Sequence, residues 1–211
     1  MSAVIAIDGP AGSGKSTIAA ALARRLGVPH IDTGAYYRAA TLAVLRAGAD
    51  PRSAAEVLAV LDDVHIVRRM DRTLLDGRDV EREIRSDEVT AQVSAVAAHP
   101  DVRRRLIVLQ RAAAAGEGAV VEGRDAASVI VPGAELKVWL TAPPAVRAAR
   151  RAAQQGHADA AVIERVTTQL LARDDADRDN TFLDADAVVI DTTDLTVDAV
   201  VARVVDLVDA T

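Results

Sequence analysis

Residues 9–16, GPAGSGKS, constrain the fold of this chain more than any other segment. They match the pattern G-x-x-x-x-G-K-[ST] in full. The β-branched run at residues 4–7 comes directly before them and ends at Asp8, which is typical of a buried strand. Gly27 is suited to end the helix that follows. That helix is indicated by apolar residues at helical spacing, namely Ile18, Leu22 and Leu26. The sequence therefore predicts a strand, a glycine-rich loop and a helix in immediate succession.

This loop has the chemistry of a phosphate-binding site. Its glycines allow successive backbone N–H groups to point at phosphate oxygens, and the start of the following helix adds positive potential. Lys15 is expected to reach the β- and γ-phosphates, and the Ser16 hydroxyl to bind Mg²⁺. The expected ligands of a nucleoside triphosphate are Gly9, Pro10, Ala11, Gly12, Ser13, Gly14, Lys15, Ser16 and Thr17.

Composition excludes several other classes of protein. The 211 residues are enough for one domain with a sizeable core. The net charge of −6 argues against a nucleic-acid partner, and the absence of cysteine excludes disulfides, thiolate metal sites and a cysteine nucleophile. No apolar run is long enough to cross a membrane, and the first residues do not resemble a signal peptide. We therefore expect a cytoplasmic protein that acts as a monomer without a membrane partner.

Predicted strands and helices alternate along most of the chain. Further strands are predicted at residues 29–32, 118–123, 135–140 and 185–191. Helices are predicted at residues 36–47, 86–98, 100–115, 160–172 and 197–208, and two more begin after Ser53 and near Pro143. This alternation predicts a three-layer α/β fold with a central parallel sheet, in which sites lie at the carboxyl ends of the strands.

Residues 63–85 interrupt this alternation. They contain short strand-like runs separated by turn residues, with no long helix between them. We interpret them as a small β-rich insertion. The whole chain, residues 1–211, is then a single domain whose core consists of residues 1–62 and 86–211.

Polar residues follow two of the predicted strands. Thr33 and Arg38 come after the strand at residues 29–32, and Arg124 and Asp125 come after the strand at residues 118–123. An arginine fork donates two parallel hydrogen bonds, which suits a phosphate group. Together with the phosphate loop, these residues suggest an anionic acceptor such as a nucleoside monophosphate.

The chain resembles the bacterial cytidylate kinase family, which transfers phosphate from ATP to CMP and dCMP. The matching segments occur in family order over nearly the whole chain: IDGPAGSGKST, DTGAYYR, LDGRDVEREIRSDEV, SAVAAHPDVRRRLIVLQR, VVEGRD, VIVPGAELKVWLTA, RDDADRD and ADAVVIDTT. Adenylate and shikimate kinases share the phosphate loop but lack the third and fourth of these segments. The resemblance implies a P-loop kinase fold with a nucleoside-monophosphate-binding insertion and a short helical lid.

The resemblance also implies which residues bind CMP. The implied ligands are Thr33, Arg38 and Arg124 for the phosphate, Ser94, Arg103 and Asp125 for cytosine, and Arg173 and Asp177 for the sugar. Cytosine carries an amino donor beside two acceptors, so a carboxylate together with cationic or hydroxyl donors fits it. Uracil reverses the polarity at two of these positions and would leave a buried carboxylate unpaired.

The lid implied by the family lies near residues 147–160 and would close over the triphosphate with Arg147, Arg150 and Arg151. Catalysis would come from alignment and charge neutralisation, with no covalent intermediate. The groups expected to supply it are Mg²⁺, Lys15, Arg124, Arg147 and Arg151. Asp8 and Asp32 are further candidates to bind water molecules on Mg²⁺.

The chain departs from the family pattern in two motifs. After GRD the family has Ile or Met, Gly and Thr, whereas this chain has Ala126, Ala127 and Ser128. After RDxxD the family has an arginine three residues on, whereas this chain has Asn180, with Arg178 two residues earlier. Two alternatives therefore stay open: a P-loop kinase for another acceptor, such as UMP or a small metabolite, and a P-loop protein that binds nucleotide without catalysis.

Overall fold

The structure, a computed structural model, describes residues 3–69, 72–116, 118–154, 156 and 159–210. The strands are β1 (Val4–Asp8), β2 (His30–Asp32), β3 (Ile66–Arg69), β4 (Arg72–Leu75), β5 (Arg78–Asp79), β6 (Ala119–Gly123), β7 (Leu136–Thr141) and β8 (Val188–Asp191). The helices are α1 (Lys15–Leu26), α2 (Thr33–Arg46), α3 (Ala54–Asp62), α4 (Asp87–Ala97), α5 (Pro100–Ala114), α6 (Pro144–Gln154), α7 (Ala160–Ala176) and α8 (Val197–Asp209). The chain forms two compact units, the first made of Met1–Pro29 with Glu117–Thr211 and the second of His30–Gly116.

The first unit contains four strands of a parallel sheet, in the order β6-β1-β7-β8. Its central strand β1 is almost entirely buried, as is typical of a parallel strand covered on both faces. Ile5 and Ile7 from β1 pack in one core cluster with Leu22 from α1, Leu140 from β7 and Val204 from α8. Each such side chain contributes about 1.5–3 kcal/mol by its burial. The predicted parallel α/β core is therefore confirmed.

The second unit contains a small antiparallel sheet in the order β3-β4-β5. The hairpin between β4 and β5 turns at Asp76 and Gly77, whose φ angles of 51° and 78° are both positive. Two consecutive left-handed residues are typical of a tight type I′ hairpin turn, for which Asp-Gly is a favoured sequence. This sheet lies within the segment that the sequence predicted as β-rich.

Capping residues satisfy the ends of several helices, including those predicted to end at Gly27 and to begin after Ser53. Gly27 ends α1 in the left-handed conformation, with φ 70°, and its N–H donates to the carbonyl of Ala23. The Ser53 hydroxyl accepts from the Glu56 N–H at the start of α3, and the Thr196 hydroxyl accepts from the Ala199 N–H at the start of α8. These bonds satisfy N–H groups that a helix leaves unpaired at its first turn.

Four elements differ from the predictions: α2 begins at Thr33 instead of residue 36, β8 begins at Val188 instead of residue 185, and two further differences concern α7 and the segment after Asp125. Helix α7 was predicted to end at residue 172 but continues to Ala176, because the Asp177 N–H still donates to the Arg173 carbonyl, 2.9 Å away. The segment Ala126–Ile130, for which no helix was predicted, forms a π-helical turn. This turn depends on a distant residue, because the Asp8 carboxylate accepts from the Ala126 and Ala127 N–H groups. Within the described residues, no helix is both long enough and apolar enough to span a membrane.

Candidate active site

The phosphate loop leaves the carboxyl end of β1 and enters α1 at Lys15. Gly9, Gly12 and Gly14 have φ angles of 149°, 76° and 95°, which side-chain-bearing residues rarely adopt. A Cβ atom on Gly9 would lie 2.1 Å from the carbonyl oxygen of Leu140 on the neighbouring strand. Glycine is therefore required at position 9 both by the backbone conformation and by the space available.

Lys15 lies along this loop. Its Nζ donates a hydrogen bond to the carbonyl oxygen of Pro10, 2.8 Å away. Burial, followed by the nearby charge of Arg124, lowers the pKa of Lys15 to about 8, whereas the charges of Glu122 and Asp8 act in the opposite direction. In this setting, a further negative charge such as that of a phosphate would stabilise the charged form of Lys15.

Ser16 lies at the start of α1 and contacts a residue that sequence analysis missed. Its Oγ donates to Oε2 of Glu122 at 2.8 Å, and Glu122 is 3% exposed near the carboxyl end of β6. The only sequence signal for Glu122 was an acid at the end of an otherwise apolar strand. A hydroxyl beside a carboxylate suits Mg²⁺, which prefers oxygen ligands and retains waters and phosphate oxygens. The described residues contain no cluster of three or more potential metal-binding side chains, so such an ion would depend on these added ligands.

Asp8 holds the turn that follows Arg124 and Asp125. Its Oδ1 accepts from the Ala126 N–H at 2.9 Å, and its Oδ2 accepts from the Ala127 N–H at 2.8 Å. Burial raises the pKa of Asp8 to about 6, although these two bonds act in the opposite direction. Both carboxylate oxygens thus have backbone partners, which is a different role from the one considered for Asp8 at Mg²⁺. The bond from Ala127 also shows that the family glycine is not needed for this contact.

Three arginines and two aspartates of the first unit form what we call the arginine cluster: Arg124, Arg147, Arg173, Asp174 and Asp177. Arg124 pairs with Asp177 at 2.7 Å, measured from Nη2 to Oδ2, and its Nη1 is 3.5 Å from Oδ1 of Asp174. Nε of Arg173 lies 3.7 Å from Oδ2 of Asp177. Burial and the charge of Arg124 lower the pKa of Arg173. Positive charge exceeds negative charge in this cluster, which suits an anionic ligand.

The three arginines expected in the lid occupy different settings. Arg147 is only 4% exposed, and its Nε donates to the Ala142 carbonyl at 3.1 Å while its Nη1 donates to the Ala11 carbonyl at 2.7 Å. Nη1 of Arg150 donates to Oγ1 of Thr192 at 2.9 Å. Arg151 is partly exposed, and its charge acts on Arg173. Arg147 is therefore fixed against the phosphate loop instead of facing solvent on a lid surface. Residues 155, 157 and 158 of the expected lid lie outside the described residues.

A cavity of about 500 Å³ lies beside the phosphate loop in the first unit. It is lined by Gly14 and Thr17 around the start of α1, by Arg150 on α6, by Thr192 and Leu195 between β8 and α8, and by Val197 at the start of α8. Apolar walls with a few polar groups are typical of a small-molecule site. Sequence analysis missed the residues after β8, because nothing in their order along the chain relates them to the loop.

In the second unit, Thr33 and Arg38 both belong to α2. The Thr33 carbonyl accepts from Nε2 of Gln110 at 3.2 Å. Nη1 of Arg38 donates to the Ile84 carbonyl at 3.0 Å and to Oγ1 of Thr90 at 2.9 Å. The arginine is therefore oriented by two neighbouring segments of the same unit.

Ser94 and Arg103 lie on consecutive helices of the second unit, α4 and α5. The guanidinium carbon of Arg103 stacks 5.5 Å from the centre of the Tyr37 ring, within range of a cation–π contact. Its Nη1 is 3.5 Å from the Ala97 carbonyl. The structure thus holds Arg103 close to the end of the helix that carries Ser94.

Asp32, the second candidate for a role at Mg²⁺, caps α2. Its Oδ1 accepts from the Ala35 N–H at 3.0 Å, and its Oδ2 accepts from Arg85 at 3.2 Å. The charges of Arg68 and Arg85 hold the pKa of Asp32 below its usual value even though burial raises it. Asp32 therefore acts as a helix cap and as an ion-pair partner of Arg85 within the second unit.

Comparison with known proteins agrees with this geometry. A family model described as cytidylate kinase matches residues 5–210. A cytidylate kinase of Mycobacterium leprae (strain Br4923) is 46% identical over 213 residues, covering 97% of this chain and 95% of that protein. A cytidylate kinase of Mycobacterium avium (strain 104) is 48% identical, covering 97% and 94%. A solved gluconokinase of Sinorhizobium meliloti 1021 matches with a TM-score of 0.54 at 17% identity, covering 99% of this chain and 92% of that chain, which shows a shared fold.

The parallel sheet and the phosphate loop define a nucleotide-binding protein of the P-loop class. Sequence similarity over nearly the full length is more specific. The chain belongs to the cytidylate kinase family. The resemblance inferred from the order of the sequence motifs is thereby confirmed.

Proposed function

We propose that this protein transfers the γ-phosphate of ATP, bound with Mg²⁺, to CMP or dCMP, giving ADP and CDP or dCDP. The observation that carries the proposal is the match of residues 5–210 to the cytidylate kinase model, with the phosphate loop intact. The transfer is direct and in line, so that the phosphoryl group passes from ATP to the CMP phosphate oxygen without a covalent enzyme intermediate.

ATP binds to the first unit in this proposal. Residues 9–17 hold its phosphates, in large part through the backbone N–H groups from Gly12 onward, and the Lys15 ammonium leaves the Pro10 carbonyl to reach the β- and γ-phosphates. The cavity beside the loop takes the adenine ring, since its volume of about 500 Å³ and its apolar wall at Leu195 and Val197 suit a flat aromatic base. Arg150 lies at this cavity and contributes to binding ATP there.

Ser16 and Glu122 are the residues that would hold Mg²⁺. Their side-chain oxygens already lie 2.8 Å apart, at the start of α1 and near the carboxyl end of β6. A bound Mg²⁺ neutralises charge on the phosphate oxygens of ATP. Glu122 accepts a hydrogen bond from the Ser16 hydroxyl and so keeps the two oxygens close enough to bind one ion.

CMP ligands of the first unit belong to the arginine cluster and its neighbour Asp125. Arg124 binds the CMP phosphate while Asp174 and Asp177 hold its guanidinium group in place. Arg173 and Asp177 bind the sugar, the carboxylate accepting from a ribose hydroxyl. Asp125, which is 6% exposed, accepts from the cytosine amino group.

CMP ligands of the second unit are Thr33, Arg38, Ser94 and Arg103. Arg38 binds the phosphate, and its orientation by Ile84 and Thr90 supports a fixed donor geometry. Ser94 and Arg103 donate to cytosine acceptors. The stacking of Arg103 on Tyr37 supports this role, because it restricts the guanidinium to one plane.

In the chemical step, the protein forms no covalent bond with the substrates and acts by positioning them and by neutralising charge. Lys15, Arg124 and Arg151 supply positive charge to the transferring phosphoryl group, and Arg147 acts from its buried position by fixing the loop at Ala11. Closure of the lid near residues 147–160 would exclude water and so limit ATP hydrolysis.

We further propose that the protein is a cytoplasmic monomer without a membrane partner. Its net charge of −6 supports the absence of a nucleic-acid partner.

The experiment that tests this function is an ADP-release assay with a panel of acceptors: CMP, dCMP, UMP, AMP and shikimate. The proposal expects turnover with CMP and dCMP well above that with the other acceptors. Faster turnover with UMP or a metabolite would favour a kinase for another acceptor. ATP binding measured by calorimetry, without turnover on any acceptor, would favour a non-catalytic P-loop protein.

A further inference from the structure

The last turn of α7 contains acids where a helix disfavours them. Asp174 and Asp175 lie in this turn, and Asp177 follows it as the capping residue. The C-terminal end of a helix carries partial negative charge, so carboxylates there are unfavourable unless other groups compensate.

The structure gives Asp174 three partners from distant parts of the chain. Its Oδ1 accepts from the Ala11 N–H of the phosphate loop at 3.1 Å and lies 3.5 Å from Nη1 of Arg124. Its Oδ2 accepts from Nη1 of Arg147 at 2.6 Å. Its side chain is 22% exposed. One carboxylate therefore connects α7 to α6, to the phosphate loop and to the segment after β6.

Asp174 and Arg147 together bind both backbone polar groups of Ala11. Asp174 accepts from the Ala11 N–H, while Arg147 donates both to the Ala11 carbonyl and to Asp174. The peptide groups on both sides of Ala11 are thus bound by one ion pair. Movement of that pair would move the loop, so the position of the phosphate loop depends on it.

Asp175, the next residue, has a different environment. It forms an ion pair with Arg178, and both side chains are largely exposed, at 67% and 76%. Successive residues of an α-helix point about 100° apart, so neighbouring acids can face different surroundings. The chain therefore provides a matched control for Asp174. The same pair places Arg178 at the surface.

We propose that Asp174 is a positioning residue for phosphoryl transfer, which sets the place of Arg124 and of the phosphate loop at Ala11. The inference rests on the proposed kinase function. Asp174 does not need to touch either substrate. It fixes the guanidinium group that binds the acceptor phosphate relative to the loop that binds the donor phosphates. In-line transfer requires this alignment, because small displacements of reacting groups lower the rate strongly.

The test compares Asp174→Asn with Asp175→Asn. Replacing Asp174 removes the charge that holds Arg147 and Arg124, and we expect kcat with CMP and ATP to fall about tenfold or more. The KM for CMP should change less than about threefold, since Arg124 keeps its shorter contact with Asp177. Asp175→Asn should keep kcat within about twofold, as expected for an exposed ion pair. A kcat within about twofold of wild type for Asp174→Asn would overturn the inference.

A purely structural role predicts a different result. Calorimetric titration with ATP counts the folded sites, and kcat is then expressed per site at a temperature below the unfolding midpoint of each variant. If Asp174 only aids folding, kcat per site returns to the wild-type value, and the inference is overturned. We expect kcat per site to stay low.

A second variant covers the case in which Asp174→Asn does not fold. Asp174→Glu keeps the charge but displaces the carboxylate by one methylene group, and we expect it to fold and to lose kcat about tenfold. Asp175→Glu is its control. If the wild-type protein phosphorylates CMP and Asp174→Glu keeps the wild-type kcat, the inference about Asp174 is overturned while the proposed function stands. Absence of CMP phosphorylation by the wild-type protein would overturn both the proposed function and the inference.

Discussion

Asp8 shows how one buried carboxylate can determine a loop that carries proposed substrate ligands. It binds two successive backbone N–H groups just after Arg124 and Asp125. Burial raises its pKa from 3.8 to about 6. Because the folded-state pKa lies above the unfolded one, the neutral carboxyl favours folding, and this contribution is complete below 3.8 and lost as the pH rises through 6.

This shift gives a prediction for stability. Between pH 5 and pH 7 the titration of Asp8 should lower the free energy of unfolding by about 1 kcal/mol. Asp8→Asn lacks this titration, although it is destabilised at both pH values by the loss of one acceptor. Urea denaturation of both proteins should therefore show that the advantage of the wild type shrinks by about this amount as the pH rises. A difference between the two proteins that does not vary with pH would contradict the prediction.

Asp125 gives a prediction for specificity. If its buried carboxylate accepts from the cytosine amino group, Asp125→Ala removes a group that rejects uracil. The ratio of kcat/KM for CMP to that for UMP should fall about tenfold, because leaving a buried polar group unpaired costs about 1–3 kcal/mol. Steady-state assays with both acceptors measure this ratio. Asp179→Ala, at an exposed acid, serves as the control and should leave the ratio unchanged.

At the scale of elements, the loop between β8 and α8 forms one wall of the cavity proposed for adenine. Leu195 lines that wall and is 36% exposed, so its replacement should not impair folding. Leu195→Ser should raise the KM for ATP about fivefold, which corresponds to about 1 kcal/mol of lost apolar contact. The KM for CMP should not change. Leu183→Ser, at an exposed leucine outside this lining, is the matched control, and an equal rise in the KM for ATP there would exclude the assignment.

How far sequence predicts these elements depends on where their stabilising contacts lie. The strand, phosphate loop and helix at residues 4–26 are determined by local patterns, and so are the caps at Gly27, Ser53 and Thr196. The π-helical turn at Ala126–Ile130 depends on Asp8, which is more than a hundred residues away in the chain. No local pattern indicates such a contact.

The residues of the candidate site likewise fall into those predicted from local motifs and those whose contacts are formed only in the folded chain. The motifs identify Lys15, Ser16 and Arg124 from local sequence and family order. Glu122 and Asp174 were missed, because their roles follow from the partners Ser16 and Ala11 that only the folded chain brings to them. Arg147 was expected in a lid, and no local pattern indicated its buried bonds to the Ala142 and Ala11 carbonyls. Local motifs therefore predict the chemistry of the site, whereas tertiary contacts determine which residues orient its side chains.

At the scale of the whole molecule, the chain has a net charge of −6, yet several arginines lie close together in the first unit. In the first unit, the arginine cluster and Lys15 supply positive charge beside the phosphate loop. In the second unit, Arg38 and Arg103 are each oriented by neighbouring helices. Local excess of positive charge in an acidic protein is expected for binding small anions, and it does not favour nucleic acid.

The central claim is that the γ-phosphate of ATP passes directly to CMP. It is tested most directly by incubating the protein with Mg²⁺, CMP and ATP labelled at the γ-phosphate, and by separating the products. The account predicts that the label appears in CDP, and that Lys15→Ala nearly abolishes this transfer by removing the charge at the β- and γ-phosphates. Label found in inorganic phosphate and absent from CDP, or transfer to CMP at the wild-type rate in Lys15→Ala, would contradict it.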